Sequence, residues 1–113
     1  MLRASCLCRA IHFEINGALK APRFCHCENC RKFTGTAAAP WAITEFNRLT
    51  VTSQNTEIKQ FASGKGMRCF CSDCGSPLWF ESNADPTLVA IPLGVIDGGE
   101  VPKPTSHIWC QSC

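Results

Sequence analysis

The chain has 113 residues, of which 45% are apolar and 18% are charged, and its formal net charge is +2. This composition excludes a disordered chain, and the length predicts one domain over residues 1–113. No apolar stretch approaches the length of a membrane-spanning helix, and lysine and arginine are scattered rather than arranged in a stripe, so we expect neither a membrane nor a nucleic acid as a partner.

The first third of the chain predicts two strands and a short helix. Residues 9–15 alternate between apolar and polar side chains, as in a strand with one buried face, and residues 23–27 form a second strand. Residues 28–33 are polar enough for one or two helical turns. We expect the helix to stop near Gly35, because glycine readily adopts the left-handed conformation that ends helices.

The rest of the chain predicts further strands and almost no helix. Residues 37–44 predict a buried strand, in which Pro40 argues against a central position or for a bulge. Residues 48–53 and 57–61 predict a hairpin. The remaining predicted strands are 67–71, 77–81, 88–96 and 107–110, with a loop at 97–106. A mainly β fold of short antiparallel strands follows.

Ten cysteines, all in close pairs or triplets, are the most informative feature of the sequence. The pairs are Cys6-Leu7-Cys8 and Cys110-Gln111-Ser112-Cys113, and the triplets are Cys25-His26-Cys27-Glu28-Asn29-Cys30 and Cys69-Phe70-Cys71-Ser72-Asp73-Cys74. Zinc holds thiolate sulfurs at about 2.3 Å, so its ligands must lie close together. Cys-x-Cys on a strand places both side chains on one face, and Cys-x-x-Cys on a tight turn directs both sulfurs to one point.

A disulfide framework is the main alternative, because ten cysteines in so short a chain are typical of small secreted proteins. The first residues, however, show no apolar run behind a basic start, as a secretion signal would. Cysteines two residues apart also bridge each other poorly. We therefore expect reduced, metal-binding cysteines and a cytoplasmic location.

Cys71-x-x-Cys74-Gly75 has the form of a zinc knuckle, which supplies two ligands. Cys6 and Cys8 are the natural complement, because an extended backbone places them on one face. We call these residues the four-cysteine set. A structural zinc there would close a loop of about 65 residues, and long loops gain most from closure. The alternative is that Cys6 and Cys8 are merely buried apolar side chains.

Cys25, Cys27 and Cys30, the three-cysteine set, offer three thiols within six residues. Three protein ligands and one open position are typical of catalytic zinc sites. His26 points away from the metal if the segment is extended, which favours a structural role for it. If His26 or a distant group filled the fourth position, the site would be closed and structural. The spacing alone leaves both arrangements open.

These blocks, in this order, resemble the glutathione-dependent formaldehyde-activating enzyme family, which includes centromere-protein-V-like proteins. The resemblance is carried by Ser5-Cys6-Leu7-Cys8-Arg9-Ala10, Cys25-His26-Cys27-Glu28-Asn29-Cys30-Arg31-Lys32, Phe70-Cys71-Ser72-Asp73-Cys74-Gly75-Ser76 and the last strand within 104–109. It implies a β-tent fold with two zinc ions, a structural one on the four-cysteine set and a catalytic one on the three-cysteine set. It also implies a carbon–sulfur lyase that joins a thiol such as glutathione to a small aldehyde such as formaldehyde.

The chain departs from the family pattern in two respects. It stops at Cys113, where family members usually continue with an aromatic-containing tail, so we expect a truncated or short homologue. Cys69 has no role in the pattern and is interpreted as a buried thiol. Cys110 and Cys113 are not expected to bind a metal.

Glutathione carries two carboxylates, so basic residues are candidates for binding it. Arg31 and Lys32 directly follow the three-cysteine set and are preferred to Arg23 and Arg68, although they also fit a solvated helix face. Four aromatic residues could wall a pocket, although core packing is the usual role of such residues: Trp41, Trp79, Phe80 and Trp109.

Two other functions remain open. A non-catalytic zinc module could bind protein or nucleic acid, because zinc knuckles are common in such modules. A redox sensor could oxidise the three-cysteine set and release zinc.

Overall fold

The structure is a computed structural model that describes residues 1–99, 101–104 and 106–108. Its regular structure is almost entirely strand, which confirms the predicted mainly β fold with little helix. The elements are β1 (Leu2–Ser5), β2 (Ile11–Ile15), β3 (Lys20–Cys25), α1 (Glu28–Thr34), β4 (Ala39–Glu45), β5 (Leu49–Gln54), β6 (Ile58–Ser63), β7 (Gly66–Cys71), β8 (Pro77–Ser82), β9 (Leu88–Pro92), β10 (Ile96–Gly98) and β11 (Ser106–Ile108). Across these ranges, no helix is long and apolar enough to cross a membrane.

The strands form two sheets. The four-stranded sheet has the order β10-β1-β2-β5, and the seven-stranded sheet has the order β11-β3-β4-β9-β8-β7-β6. Neighbouring strands are antiparallel except for β3 and β11, which run parallel.

Both sheets contribute to one buried core. On β2, Ile11, Phe13 and Ile15 are buried while the residues between them are half-exposed, which confirms the predicted alternation. The ring of Phe13 meets that of Trp79 on β8 edge to face, with centroids 5.4 Å apart. The two sheets are therefore held together by apolar packing as well as by their connecting segments.

The hairpin predicted from residues 48–53 and 57–61 is wrong, because its two strands belong to different sheets. β5 pairs with β2, and β6 pairs with β7. The connection between them is held on both sides: the Asn55 N–H donates to the Ala10 carbonyl at 2.8 Å, and the Thr56 hydroxyl donates to Asp73 at 2.9 Å. Alternation identifies a strand, but it does not specify the partner of that strand.

The single strand predicted at 88–96 is also divided between the sheets. β9 ends at Pro92, a 3₁₀ turn follows at Leu93–Val95, and β10 then pairs with β1. The predicted loop at 97–106 is therefore too long at both ends. β11 overlaps the strand predicted at 107–110, of which residues 109–110 lie outside the described residues. β1 itself was not predicted.

Pro40 was expected to argue against a central position or for a bulge, and the first alternative is wrong. β4 lies between β3 and β9, with no register shift along its pairing with β9. Pro40 is only the second residue of β4, and pairing with β9 begins at Trp41. The missing N–H of the proline is therefore not needed on that side.

Gly66, the first residue of β7, packs too closely against β8 to carry a side chain. A Cβ atom there would overlap the Glu81 carbonyl oxygen and the Phe80 ring. We expect Gly66→Ala to lower the free energy of unfolding by about 1–3 kcal/mol, as overpacking does. Urea unfolding measures this. Gly94→Ala is the control, because nothing lies within 4 Å of its Cβ position, and equal losses in the two variants would contradict the packing argument.

Candidate metal centre and adjacent pocket

The four-cysteine set is brought together where β1 and β7 end. Cys6 and Cys8 follow β1, Cys71 is the last residue of β7, and Cys74 lies on the turn after it. The four sulfurs all lie within 4.8 Å of one another, and Cys8 Sγ is 3.6 Å from Cys6 Sγ and 3.7 Å from Cys71 Sγ. Sulfurs around tetrahedral zinc lie about 3.8 Å apart, so the set fits one such ion. That zinc occupies it stays a prediction.

Two tight turns direct these sulfurs to one point. On the β7 side, Gly75 has a φ of 77° and donates its N–H to the Cys71 carbonyl at 2.9 Å. On the β1 side, Arg9 has a φ of 64° and donates to the Cys6 carbonyl at 3.1 Å. A positive φ costs glycine little, but it is uncommon for arginine. The knuckle glycine is thus where the sequence predicted a turn, while the turn at Arg9 carries no such signal.

Ser76 connects the two halves of the four-cysteine set. Its hydroxyl accepts the Leu7 N–H at 2.9 Å and lies 3.1 Å from Cys74 Sγ. Burial acts to raise the pKa of Cys74, but hydrogen bonds from the Ser76 hydroxyl and from the N–H groups of Cys8 and Ser76 outweigh it and lower this pKa to about 6. The thiolate, which is the form that binds a metal, is therefore favoured at Cys74 at neutral pH.

Ser76→Ala is expected to weaken zinc binding by about tenfold or more, because it removes a hydrogen bond that supports a ligand thiolate. Competition between the protein and a chelator of known affinity measures the change. Ser72→Ala is the matched control, since the Ser72 hydroxyl lies in the same turn but contacts Thr56 at 2.9 Å. If both variants held zinc as tightly as the wild type, Ser76 would not support the metal centre.

The three-cysteine set lies where β3 leads into α1. Cys25 ends β3, Cys27 directly precedes α1, and Cys30 lies in its first turn. The helix ends at Gly35, which has a φ of 69°, as predicted. The His26 N–H donates to the carbonyl of Ile108 at 3.0 Å, and this bond holds β11 beside the set.

These three sulfurs are less closely grouped than the other four. Over the described ranges, the four-cysteine set is the one group of three or more metal-ligand side chains with all ligand atoms within 4.8 Å. Burial raises the pKa of Cys25 to about 12, and the neighbouring sulfurs of Cys30 and Cys27 act in the same direction. Cys25 is therefore a protonated thiol at neutral pH unless a cation binds there.

A cavity of about 160 Å³ opens beside the three-cysteine set. Its walls are mostly apolar, and among the described residues that line it the charged ones are both arginines. The lining residues are Arg23, Cys25, Cys30, Trp41, Ile43, Arg68, Phe80, Ala90 and Ile108. Two thiols of the set thus face a small cavity that has mostly apolar walls and two positively charged side chains.

Arg68 is buried in the wall of this cavity, with only 4% of its surface exposed. Its guanidinium carbon lies 5.3 Å from the ring centroid of Phe33 and 4.7 Å from that of Phe80, within range of cation–π attraction. Nε donates to the Ser63 hydroxyl at 3.1 Å, and Nη2 lies 3.6 Å from Cys30 Sγ. Nη1 is buried and has no hydrogen-bond partner among the described residues.

The basic residues preferred from the sequence lie elsewhere. Arg31 and Lys32 are in the last turn of α1 and are not among the residues that line the cavity. Their contact with a thiol ligand stays a prediction. Arg68 has lower preference in the sequence because, unlike Arg31 and Lys32, it does not follow the three-cysteine set. The sequence does not show that α1 brings Phe33 to within 5.3 Å of its guanidinium.

The other cysteines do not join either set in the described part of the chain. Cys69 is fully buried, as expected, and its thiol donates to Glu81 at 3.4 Å. Burial, together with the charge of Glu81, raises the pKa of Cys69 to about 12. Cys110 and Cys113 lie outside the described residues.

Fold and site together define a mainly β protein in which a cluster of four thiols, able to hold a metal ion, ties two sheets together. The sequence profile described as glutathione-dependent formaldehyde-activating enzyme matches residues 1–112. The chain belongs to this family, and the resemblance seen in its cysteine blocks is confirmed.

Individual relatives agree with this assignment. A Halomonas elongata protein, provisionally named a glutathione-dependent formaldehyde-activating enzyme, is 30% identical over 115 residues, covering 96% of this chain and 73% of that protein. A Schizosaccharomyces pombe protein named an uncharacterized lyase is 32% identical over 79 residues, or 67% of this chain. The chain spans only 54% of the length of this second relative.

The fold is also present in a solved structure. The crystal structure of a Rhodobacter sphaeroides protein matches with a TM-score of 0.71 and covers 93% of this chain and 98% of its own. The sequences are 21% identical, so this match shows a shared fold and does not show a shared function.

Proposed function

We propose that this chain is a zinc-dependent carbon–sulfur lyase that joins a thiol and a small aldehyde at the three-cysteine set. The observation that carries the proposal is the position of Cys25 and Cys30 on the wall of an apolar cavity, in a chain of this family. Glutathione and formaldehyde, which name the family, are the proposed types of substrate. We further propose two zinc ions per chain, a structural one on the four-cysteine set and a catalytic one on the three-cysteine set.

The three-cysteine set offers three thiols, which is the donor set of an open zinc site. Its sulfurs would have to approach one another more closely than they do here. Cys25, Cys27 and Cys30 would hold the zinc ion, whose positive charge would lower the pKa of a substrate thiol so that it loses its proton to solvent at neutral pH.

The surrounding residues would bind the reactants and limit access of water. Apolar walls such as Ile43 and Ala90 favour a small aldehyde over bulk solvent. Arg68 Nη2 lies 3.6 Å from Cys30 Sγ, where the guanidinium would offset the negative charge of this sulfur as a zinc ligand. As the carbon–sulfur bond forms, the carbonyl π electrons move to oxygen, which then takes a proton from solvent. The reverse reaction breaks the same bond and returns the aldehyde and the thiol.

NMR of a mixture of glutathione and formaldehyde tests this proposal. We expect zinc-loaded protein to accelerate formation of the S-hydroxymethyl adduct over a protein-free blank, followed by exchange between the free and adduct signals. Equal rates in the two samples would contradict the lyase assignment.

A non-catalytic zinc module is the second candidate, favoured by the fact that only the four-cysteine set is tightly assembled in the described residues. Titration with mixed-sequence DNA at two salt concentrations distinguishes it, since a steep salt dependence would indicate nucleic-acid binding. We expect no such binding.

We also propose a cytoplasmic, reducing location. The eight cysteines that the structure describes are all free thiols, and such thiols persist where glutathione keeps them reduced.

A further inference from the structure

Two buried hydrogen-bond donors on the cavity wall have no partner within the described residues. Arg68 Nη1 and Trp41 Nε1 are both inaccessible, and neither finds an acceptor among the described residues. Both residues line the cavity beside the three-cysteine set. Buried donors are nearly always satisfied in folded proteins, so two on one cavity indicate an acceptor that occupies it.

The positive charge on the same wall faces no carboxylate among the described lining residues. Arg68 is 4% exposed, and no carboxylate is among the described residues that line the cavity. The ion pairs of the described residues involve Lys20 and Arg48, which both pair with Glu45. A buried guanidinium needs a nearby negative charge to offset its desolvation, and the Cys30 sulfur faces only Nη2.

The size and lining of the cavity limit what could supply that charge. About 160 Å³ is well below the several hundred Å³ typical of pockets for large ligands, so a glutathione molecule would extend out of it. Phe80, Ile43 and Ala90 provide apolar surface but no acceptor. A ligand of a few carbons with one anionic group matches both features.

We propose that this cavity binds a small carboxylate, whose oxygens accept hydrogen bonds from Arg68 Nη1 and Trp41 Nε1. Its short carbon chain packs on the apolar wall. If the proposed reaction takes place here, an aldehyde that bears a carboxylate fits the cavity better than formaldehyde does. This statement about the substrate rests on the proposed function. The binding site itself depends on the cavity alone.

Titration of the ¹⁵N-labelled, zinc-loaded protein with propionate tests the site, with propionamide as the neutral ligand of the same shape. We expect the indole N–H signal of Trp41, assigned by its loss in Trp41→Phe, to shift and saturate with propionate. Propionamide should leave this signal in place.

Arg68→Met is expected to weaken propionate binding by about tenfold or more, because it removes a charge-assisted hydrogen bond. Arg68→Lys keeps the charge and should retain part of the affinity. Arg48→Met is the matched control, since it removes an arginine on the surface away from the cavity. If Arg68→Met does not fold, the other two variants test the site. Propionate should bind more weakly to Arg68→Lys and to Trp41→Phe, and the NMR signals of the other cavity residues measure this binding.

Absence of a saturating propionate shift in the wild type overturns the inference, as does equal binding of propionamide or unchanged affinity in all three cavity variants. Failure of the proposed reaction is a separate result. Propionate binding without adduct formation would contradict the lyase proposal and support the carboxylate site. Adduct formation without propionate binding would support the lyase proposal and contradict the carboxylate site.

Discussion

Cys71→Ala is expected to yield a chain that no longer unfolds cooperatively and holds no metal on the four-cysteine set. Cys71 is fully buried, and its Sγ contacts that of Cys8, 63 residues away, at 3.7 Å. Structural zinc sites supply about 10–16 kcal/mol in small peptides, which equals or exceeds the total stability of about 5–15 kcal/mol of a typical domain. Thermal unfolding followed by circular dichroism, with zinc content on the same sample, measures the loss.

Cys69→Ala is the matched control for that variant. Cys69 lies on the same strand, is equally buried and loses the same sulfur atom, but it stands outside the four-cysteine set. We expect it to keep its zinc and to lose about 1 kcal/mol, as small core deletions do. Equal stability of the two variants would mean that Cys71 is an ordinary core thiol and that the set holds no structural metal.

Cys27→Ala is expected to give a folded protein with one zinc ion fewer and with adduct formation at the rate of the protein-free blank. Cys27 is only half-buried, and its side chain makes no capping hydrogen bond to α1, so its removal leaves the fold intact. It does remove one of three ligands, and a zinc ion with two protein ligands binds weakly. Zinc analysis and the NMR assay measure the two effects on one preparation.

Asn29→Ala is the control for the second variant, because it shortens an exposed side chain in the same helical turn without removing a thiol. It should keep both zinc ions and full activity. The division into a structural and a catalytic site would be wrong if Cys27→Ala unfolded as Cys71→Ala does, or if it kept both ions and wild-type activity.

The approach of the four sulfurs could be predicted because metal ligation imposes its own geometry. Cys-x-Cys and Cys-x-x-Cys each place two sulfurs close together through the local backbone. Two such motifs together supply the four thiols that one tetrahedral ion requires. The end of the helix at Gly35 could also be predicted from local sequence. Glycine adopts the left-handed conformation that ends a helix whatever the helix packs against.

Long-range pairing could not be predicted in the same way. Residues 88–96 look continuous, yet β9 and β10 belong to different sheets. The sequence gives Arg68 and Trp41 low preference for a related reason. Their importance lies in buried donors without partners, and burial depends on elements distant in sequence, such as α1, which brings Phe33 to within cation–π range of Arg68.

Zinc analysis of the purified wild-type protein, with the chain concentration determined independently, tests most directly whether both cysteine sets hold a metal. We predict two zinc ions per chain. One ion would show that the three-cysteine set does not retain zinc, which would contradict the proposed catalytic site, and none would contradict the metal centre altogether.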